Sequence, residues 1–382
     1  MNTRLERGIE EIIDKKHLQE RLEKGDKLRV KLGIDPTSPN IHIGRAVQLW
    51  KLKQFQDLGH QAIFIVGDAT GRIGDTSDKD AERPMLTEDE IKINTKTYFD
   101  QAFKILDPKK TETHYNSEWL DKLGLMDLAK MANLFGLHEF ASREVIAKRM
   151  EAGKRVSFHE LLYPIFQGYD SVAVKADVEL GGTDQRFNLL AGRTIQRFYS
   201  QEPQDIVMTS LLEGTDGRKM SSAWGNVINI TEESNSMFGK VMSISDDLII
   251  RYFNMATQVP ANELAEIETN LKNGTNPRDI KLRLAGEIVK MYHGVGEAQK
   301  ALEEWQRVFS KGELPEFMPE YKEGNIIDVI VDSGLVESKS EAKRLLSQNA
   351  VQINDQTIVD WGYKVKKGDV IRVGTRKFLR VV

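Results

Sequence analysis

The segment spanning residues 27–67 places the strongest limit on how this chain can fold. It opens with the β-rich run KLRVKLGID and the turn stretch PTSPN, then carries apolar residues at helical spacing in IHIGRAVQLWKLKQFQDLGH. The apolar run QAIFIVGD follows and is typical of a buried parallel strand. A strand–helix–strand unit of this length implies a right-handed crossover. We therefore expect an α/β fold with a doubly wound parallel sheet of the Rossmann-like type.

The rest of the chain predicts further domains, because 382 residues are too many for one compact core. Residues 88–168 and 232–309 have mostly helical patterns, and between them a second strand signal, SVAVKADVELGG, opens into the helical stretch TDQRFNLLAGRTIQRF. After the linker-like KGELPEFMPEYKEG, two short helices precede the strands VQIN, TIV and GDVIRVG. The predicted domains are a Rossmann-like catalytic domain (1–230), an α-helical domain (231–312), a linker (313–323) and a small α+β domain (324–382).

Composition excludes several classes of protein. No run approaches the roughly eighteen apolar residues of a membrane span, and the N-terminal MNTRLERGIEEIIDKKHLQERLEKG is typical of an amphipathic helix rather than a secretory signal. We therefore expect a cytoplasmic protein without membrane contact. The chain has no cysteine, and its seven histidines lack paired spacing, which predicts neither a disulfide nor a protein-held metal. Any metal should arrive as Mg²⁺ bound to a nucleotide.

Charge is unevenly distributed along the chain. The formal net charge is −4, yet residues 321–382 contain eleven Lys and Arg against eight Asp and Glu. A basic tail on an acidic body favours a partner that carries phosphates. The basic residues singled out in this tail are Lys339, Lys343, Arg344, Arg372, Arg376, Lys377 and Arg380.

The loop between the first strand and its helix has the features of a phosphate-binding site. It leaves a strand at its carboxyl end, where α/β sheets place ligands, and the next helix N-terminus offers backbone N–H groups and a positive dipole. The alternative is an ordinary turn and N-cap with a surface histidine and arginine. The candidate residues here are Gly33, Asp35, Thr37, His42, Gly44 and Arg45.

A second set of polar residues follows in YxxxQxxD and GGTDQ. Tyr163, Gln167 and Asp170 are spaced to lie on one helix face, which favours a small polar ligand. The alternative is a buried hydrogen-bonded trio that joins two helices. In the glycine pair before the next helix, Gly182 permits close approach of a ligand, and Asp184 could accept hydrogen bonds from ribose hydroxyls.

The third set is the loop TDGRKMSSAWGN. Lys219, Ser221 and Ser222 give it one cationic and two hydroxyl side chains, which would suit a departing pyrophosphate. Taken alone, this loop is more typical of a solvated basic turn.

The ordered set of motifs resembles class I aminoacyl-tRNA synthetases. PNIHIGR is similar to their His-Ile-Gly-His signature and RKMSSA to their Lys-Met-Ser-Lys-Ser loop, while YxxxQxxD, GGTDQ and GDATGRIGD are typical of the tyrosyl member. The last sixty residues resemble the RNA-binding fold named for small-subunit ribosomal protein four, which follows a helical anticodon-binding domain in bacterial tyrosyl enzymes. The resemblance covers nearly the whole chain and implies a homodimer that uses Mg-ATP, tyrosine and tRNA.

The resemblance also implies a role for individual residues. Those matching the transition-state machinery around the β- and γ-phosphates are His42, Thr37, Lys219, Lys79 and Arg83. Those matching other ATP contacts are Gly33, Asp35, Gly44, Arg45, Gly182, Asp184, Ser221 and Ser222. Those matching the tyrosine pocket are Asp75, Thr70, Asn116, Trp119, Tyr163, Gln167, Asp170 and Gln185, with Asp170 as acceptor for the phenol hydroxyl.

The chain departs from the family pattern at several positions. Arg45 replaces the last histidine of the first signature, and Ser222 and Ala223 replace a lysine and a hydroxyl residue in the mobile loop. Lys31 stands where many members have tyrosine. An inward Lys31 could pair with a carboxylate near the phenol, whereas an outward one would be a solvated strand residue; we expect the outward placement.

Three alternatives compete with the tyrosyl reading. A tryptophanyl synthetase would share the nucleotide loops but would need neither an acidic phenol acceptor nor the C-terminal basic module. A nucleotidyltransferase that never meets tRNA is disfavoured by the helical domain and that module. An RNA-binding paralogue without activity is supported only by the substitutions at Arg45, Ser222 and Ala223.

Overall fold

The computed structural model describes residues 3–75, 85–310, 313–315, 318–374 and 377–382. The chain forms two compact units, Met1–Ala301 and Leu302–Val382. The division of the first unit into a catalytic and a helical domain remains a prediction. In the described ranges, no helix combines the length and apolar character needed to cross a membrane.

A six-stranded sheet forms the centre of the first unit. Its strands lie in the order β1-β6-β5-β2-β3-β4; β1 is antiparallel to β6, and the other neighbours are parallel. The strands are β1 (Ile9–Ile13), β2 (Arg29–Ile34), β3 (Gln61–Val66), β4 (Thr111–Tyr115), β5 (Val178–Gly182) and β6 (Asp205–Thr209). The predicted doubly wound α/β class is confirmed, with one antiparallel edge strand added.

The register of the sheet aligns the carboxyl ends of its central strands. Ile34 of β2 lies opposite Val66 of β3, and Lys31 of β2 lies opposite Glu179 of β5. The loops after these strands therefore open at one edge of the sheet, at the place where the strand order changes direction between β2 and β5.

Helices cover the sheet and fill the rest of the first unit. The longer ones that flank the sheet are α3, which crosses from β2 to β3, and the pair α11 and α12. The helices preceding β5 are α1 (Thr3–Glu6), α2 (Lys15–Lys24), α3 (Ile43–Asp57), α4 (Asp68–Ile73), α5 (Glu88–Thr95), α6 (Tyr98–Ala102), α7 (Ser117–Leu120), α8 (Leu125–Ala132), α9 (Leu137–Ala141), α10 (Glu144–Glu151) and α11 (Phe158–Ala173). Those following it are α12 (Arg186–Phe198), α13 (Ser234–Met242), α14 (Ile249–Ala256), α15 (Ala261–Lys272), α16 (Pro277–His293) and α17 (Val295–Ser310), the last of which contains the boundary between the units.

Two local predictions were wrong, and a third missed one strand. The N-terminal segment is not one amphipathic helix, because Ile9–Ile13 pairs with β6 as an edge strand. The stretch 88–168 is mostly helical as expected, but it also contains the strand Thr111–Tyr115. Only the end of SVAVKADVELGG is a strand, because its first three residues complete α11. Each error concerns a short strand whose pairing partner is distant in the chain, which local periodicity does not reveal.

The second unit is a small α+β fold. Its apolar core is formed by side chains of both helices and of the sheet, among them Ile330, Leu346 and Leu379. A five-stranded sheet has the order β10-β9-β12-β13-β7, and β8 pairs with β11. The elements are β7 (Glu320–Tyr321), β8 (Gly324–Asn325), α18 (Ile326–Asp332), α19 (Lys339–Ser347), β9 (Val351–Ile353), β10 (Gln356–Thr357), β11 (Lys364–Val365), β12 (Val370–Val373) and β13 (Lys377–Val381).

Helices α11 and α12 pack closely at Gly168. A Cβ added there would lie 2.7 Å from Cδ1 of Ile195 and 3.1 Å from the backbone nitrogen of Gly192. Both contacts are shorter than ordinary van der Waals distances, so no side chain fits without moving one helix. Since α11 carries the predicted tyrosine-pocket residues Tyr163, Gln167 and Asp170, this contact fixes the helix that bears them against α12.

We expect Gly168→Ala to destabilise the first unit by about 1–3 kcal/mol, because overpacking would push α11 and α12 apart. Gly286→Ala is the matched control: Gly286 also lies within a helix, α16, but a Cβ there would meet nothing within 4 Å. The control should raise stability by about 0.5–1 kcal/mol through helix propensity. Urea unfolding measures both; equal effects of the two substitutions would contradict the packing constraint.

Candidate active site

A cavity of about 360 Å³ lies at the carboxyl ends of β2, β3 and β5. All predicted site residues within the described ranges line it except Gly182, Asn116 and Trp119. Lys79 and Arg83 fall outside the described residues. The three motifs identified in the sequence, although far apart in the chain, therefore meet at one edge of the sheet.

His42 caps the helix that begins at the cavity. It is the N-cap residue of α3, and its Nδ1 accepts the backbone N–H of Arg45 at 3.3 Å. Burial, together with the nearby charges of Arg45 and Lys219, lowers the pKa of His42 to about 3, so the ring is neutral at pH 7. With Nδ1 acting as acceptor, the proton of the neutral ring is on Nε2. The site thus offers an uncharged donor beside a helix N-terminus.

Arg45 braces the loop between β2 and α3. Its Nη1 donates to the carbonyl oxygen of Asp35 and to the hydroxyl of Tyr98, both at 3.0 Å, and its Nη2 donates to Oγ1 of Thr37 at 2.8 Å. Because Oγ1 of Thr37 accepts this bond, its own hydroxyl proton can be donated to an anion. Arg45 therefore places a cation at the position where the family signature has its last histidine. It also holds the loop in place.

Asp35 is a half-buried carboxylate directly after β2. Its Oδ1 accepts from Thr70 at 2.7 Å and its Oδ2 from Tyr163 at 2.8 Å. Burial raises the pKa of Asp35 to about 6, against the lowering effect of these two hydrogen bonds. Gly67 leaves room for this arrangement, since a Cβ there would lie 2.1 Å from Oδ1 of Asp35.

Asp170 is a buried carboxylate that lines the cavity. Its Oδ1 accepts from Nε1 of Trp119 at 2.8 Å, and its Oδ2 accepts from Nδ2 of Asn116 at 3.2 Å. Burial raises the pKa of Asp170 to about 7, whereas the charge of Lys31 and these hydrogen bonds lower it. The resemblance implied that Asn116 and Trp119 belong to the pocket, but neither residue lines the cavity. Both instead donate hydrogen bonds to the carboxylate of Asp170.

The expected outward placement of Lys31 was wrong. Its side chain is fully buried, and Nζ lies 2.8 Å from Oε1 of Glu179 on the neighbouring strand. The same Nζ donates to Oγ of Ser171 at 2.8 Å and to the carbonyl oxygen of Gln167 at 3.1 Å. Alternation along a strand does not settle orientation here, because a central parallel strand is covered on both faces.

Further polar pairs close the cavity from other elements. Nε2 of Gln185 donates to Oδ2 of Asp75 at 2.5 Å, which joins two residues predicted to bind the amino acid. Nζ of Lys219 lies 2.7 Å from Oδ2 of Asp184, so this aspartate is paired with the loop lysine. The described residues contain no group of three His, Asp or Glu side chains that could hold a metal ion.

The loop TDGRKMSSAWGN is held to the site by Lys219, which pairs with Asp184, and by Ser222. Oγ of Ser222 lies 3.0 Å from Oγ of Ser38 in the loop after β2. Within the loop, Oδ1 of Asn226 accepts the backbone N–H of Ser221 at 2.8 Å, while its Nδ2 donates to Oδ1 of Asp216 at 2.7 Å. The serine at position 222 therefore joins the two phosphate-type loops to each other, a contact that a longer lysine side chain would not make in the same way.

Sequence reasoning missed several residues that complete the site. Ser38 and Gln48 line the cavity, Tyr98 supports Arg45, and Gly67 makes room for Asp35. Glu179 had a usable signal, since an acidic residue inside the apolar run before GGTDQ requires a buried partner. The others gave none, because their contacts depend on how distant segments pack.

The geometry agrees with comparisons to known proteins. Residues 23–310 match the family described as tRNA synthetases class I (W and Y), and residues 304–379 match the Tyrosine--tRNA ligase SYY-like C-terminal domain. The Tyrosine--tRNA ligase of Thermotoga maritima is 47% identical, with 99% of this chain and 96% of the relative covered. That of Carboxydothermus hydrogenoformans is 48% identical, with the same two shares covered.

Solved structures show the same fold at low identity. A C-terminally truncated mitochondrial tyrosyl-tRNA synthetase of Aspergillus nidulans has a TM-score of 0.66 at 22% identity, covering 80% of this chain and 92% of that one. The tyrosyl-tRNA synthetase from Archaeoglobus fulgidus complexed with L-tyrosine has a TM-score of 0.62 at 21% identity, covering 78% and 97%.

Fold, site and family matches together define the class: the chain is a class I aminoacyl-tRNA synthetase of the family that comprises the tryptophan and tyrosine enzymes. Within that family it belongs to the tyrosine--tRNA ligases, because relatives of that name match it over 99% of its length and the matched C-terminal domain is theirs. The resemblance inferred from the motifs is confirmed.

The raised pKa of Asp170 should make the stability of the folded chain depend on pH. Between its ordinary value of 3.8 and about 7, the folded chain holds a proton that the unfolded chain has lost. The unfolded state then binds fewer protons, so this group makes stability fall as pH rises through that window and has no further effect above it. Asp170→Asn removes the titration, and the variant should gain stability relative to the wild type between pH 5 and pH 8.

Urea unfolding at both pH values measures the change. Asp100→Asn, at an exposed carboxylate, is the control and should follow the wild type. If Asp170→Asn and the wild type show the same pH dependence, Asp170 does not titrate in this window.

Proposed function

We propose that this cavity activates tyrosine with Mg-ATP to form tyrosyl-adenylate and that the chain then transfers tyrosine to the 3′ end of its tRNA. One observation carries the assignment: a helix N-terminus with a neutral histidine donor and a buried carboxylate, Asp170, line the same cavity. The first suits phosphate oxygens, and the second suits a hydroxyl donor. Membership of the tyrosine--tRNA ligases supports both halves of the assignment.

Asp170 would recognise the phenol hydroxyl. Its oxygens already accept from Trp119 and Asn116, and a tyrosine hydroxyl would supply a further donor to a buried carboxylate. Phenylalanine lacks that donor, so its binding would leave the carboxylate desolvated with fewer partners. Leaving a buried charged group short of a partner costs roughly 1–3 kcal/mol or more.

The opposite end of the amino acid would be held by acceptors for its ammonium group. Asp75, Tyr163 and Gln167 line the cavity and carry a carboxylate, a hydroxyl and a carboxamide oxygen, respectively. Gln185, which donates to Asp75, would lie near the substrate carboxylate. Thr70 supports this region indirectly, because its hydroxyl donates to Asp35 while accepting from Nδ2 of Asn116 at 2.9 Å.

ATP would occupy the phosphate side of the cavity. Nε2–H of His42, the hydroxyl of Thr37 and the N-terminus of α3 would donate to phosphate oxygens. Asp35, Gly33 and Gly44 would lie beside the nucleotide, while Asp184 and Gly182 would contact the ribose. For Asp184 to do so, Lys219 would leave it and move to the pyrophosphate together with Ser221 and Ser222; Lys79 and Arg83 are proposed to assist. Mg²⁺ would enter bound to ATP as part of the substrate.

The chemistry consists of two displacements. The tyrosine carboxylate attacks the α-phosphorus of ATP, the bond from that phosphorus to the bridging oxygen breaks, and pyrophosphate leaves. A ribose hydroxyl of the terminal tRNA nucleotide then attacks the activated carbonyl, and AMP leaves while the hydroxyl proton is lost to a phosphate oxygen or water. The first step needs no protein base, because a carboxylate is already ionised at pH 7. Catalysis then depends on alignment and on charge stabilisation at the phosphates.

The remaining proposals concern assembly and partners. Basic side chains of the second unit would bind tRNA phosphates. A homodimer is supported by strongly exposed apolar side chains between residues 125 and 158, namely Leu125, Met126, Leu137 and Phe158. Large apolar groups in such number are typical of a surface that another chain covers. We also propose a cytoplasmic location, where tRNA is charged for protein synthesis.

We expect His42→Ala to lower the rate of tyrosine activation by about 10²–10³-fold while changing the KM for ATP little, because the donor acts mainly on charge that develops in the transition state. His42→Asn retains an N-cap side chain for α3 but lacks the ring donor. It should keep the stability that the alanine variant loses, yet activate tyrosine as slowly. A normal pre-steady-state activation rate in either variant would remove His42 from the mechanism.

Asp170→Ala should reduce the ratio of kcat/KM for tyrosine to that for phenylalanine by about tenfold or more, since the acceptor for the phenol is lost. Asp75→Ala is the control, because the ammonium group that it contacts is common to both amino acids. That variant should weaken both substrates and leave the ratio nearly unchanged. ATP–pyrophosphate exchange gives both numbers; wild-type discrimination in Asp170→Ala would place phenol recognition elsewhere.

Substitution of the three exposed basic residues of α19 tests whether the second unit binds tRNA. Replacing Lys339, Lys343 and Arg344 with alanine should weaken tRNA charging and lower the salt slope of tRNA binding by about 0.7–0.9 per lost phosphate contact. Tyrosine-dependent pyrophosphate exchange should be unaffected. A Lys339→Arg/Lys343→Arg variant keeps the charge and serves as control. Unchanged charging in the alanine variant would show that α19 is a solvated face.

A further inference from the structure

A buried ion pair lies beneath the predicted tyrosine pocket. Lys31 and Glu179 are cross-strand neighbours in β2 and β5, their side chains are 0% and 1% exposed, and Nζ lies 2.8 Å from Oε1. Neither residue lines the cavity. Burying two charges costs desolvation energy that apolar side chains of similar size would not incur, so stability alone is a weak reason for such a pair.

Both members of this ion pair also form hydrogen bonds with residues of α11. Lys31 donates to Oγ of Ser171 and to the carbonyl oxygen of Gln167, which lie one turn apart on α11. Oε1 of Glu179 also accepts from Nε2 of Gln167 at 3.2 Å, while its Oε2 accepts from Oγ of Ser171 at 3.1 Å and from Nε2 of Gln204. The pair therefore ties two strands to the segment of α11 that contains Asp170.

The consequence for Gln167 is a defined orientation of its carboxamide. Nε2 is the only part of that group able to donate, and Glu179 accepts from it. The carbonyl oxygen Oε1 is then left for the cavity, which Gln167 lines. An acceptor is what a substrate ammonium group requires, whereas a carboxamide turned the other way would present an N–H₂ group to a cation.

We propose that Lys31 and Glu179 are positioning residues for amino-acid recognition: Glu179 fixes the carboxamide of Gln167 as an acceptor, and Lys31 pairs with Glu179 and holds it in place. The proposal rests on the assignment of the cavity to tyrosine activation. It gives Lys31, which stands where many family members have tyrosine, a role that does not involve touching the substrate.

The test is a double substitution, Lys31→Met/Glu179→Met. Two unbranched apolar side chains replace the ion pair at similar volume, a change that folded proteins tolerate. A merely structural pair predicts unchanged kinetics. The positioning role predicts a rise of roughly tenfold in the KM for tyrosine, the scale of one hydrogen bond to a charged group, with kcat and the KM for ATP changed less than about twofold. ATP–pyrophosphate exchange at saturating ATP measures these values.

A double-mutant cycle with Gln167→Ala separates positioning from general disturbance. When Gln167 is absent, the methionine pair should have no further effect on the KM for tyrosine, since its target is gone. Additive effects in the cycle would overturn the proposal. So would an unchanged KM in the Lys31→Met/Glu179→Met variant itself.

A second buried ion pair provides a matched control. Arg149 and Glu160 are 2% and 0% exposed in their side chains and joined at 2.6 Å, and neither lines the cavity. Arg149→Met/Glu160→Met should leave the KM for tyrosine unchanged; an equal rise in both double variants would refute the specific role of Lys31 and Glu179.

Two outcomes distinguish this inference from the underlying function. If Gln167→Ala alone leaves the KM for tyrosine unchanged, the assignment of the pocket fails. If Gln167→Ala raises that KM and the methionine pair does not, only the positioning role fails. Should the methionine pair not fold, Glu179→Asp retains the charge but withdraws the acceptor from Gln167 by one methylene, and the KM for tyrosine should still rise severalfold; an unchanged value would reject the proposal.

Discussion

Carboxylates held between α11 and the central strands are the constraint on which the site depends. Asp170 and Glu179 are buried, and Asp35 is half-buried, where α11 and its neighbours pack over the sheet. A charge in that position is tolerated only where donors compensate for lost hydration. Each acid accordingly has its own donors: Thr70 and Tyr163 for Asp35, Trp119 and Asn116 for Asp170, and Lys31 with three neutral groups for Glu179. The requirement for these hydrogen-bond donors determines which side chains surround the cavity.

The donors connect the acids into one network. Asn116 bonds to both Thr70 and Asp170, and Thr70 bonds to Asp35, so the phosphate side and the amino-acid side of the cavity share a hydrogen-bonded path. Such a network gives little freedom to any member, because moving one leaves a buried partner unsatisfied. Rigid placement of groups is what a reaction without a protein base requires, since its barrier is lowered by alignment and by charge stabilisation.

Much of this architecture could be predicted from the sequence. The strand–helix–strand unit of residues 27–67 defined the sheet type, and the spacing of Tyr163, Gln167 and Asp170 placed them on one helix face, as α11 shows. What could not be predicted depends on contacts between distant segments. The strand at Thr111–Tyr115 and the inward Lys31 are examples, because a central strand covered on both faces loses the alternation that reveals orientation.

The central claim is that this cavity selects tyrosine and joins it to AMP. ATP–pyrophosphate exchange measured with each of the twenty amino acids, under one set of conditions and without tRNA, tests it most directly. The account predicts strong exchange with tyrosine, exchange with phenylalanine lower by at least the cost of an unpaired buried carboxylate, roughly tenfold or more, and little with tryptophan. Exchange that is equal for tyrosine and phenylalanine, strongest with tryptophan, or absent with all twenty would contradict it.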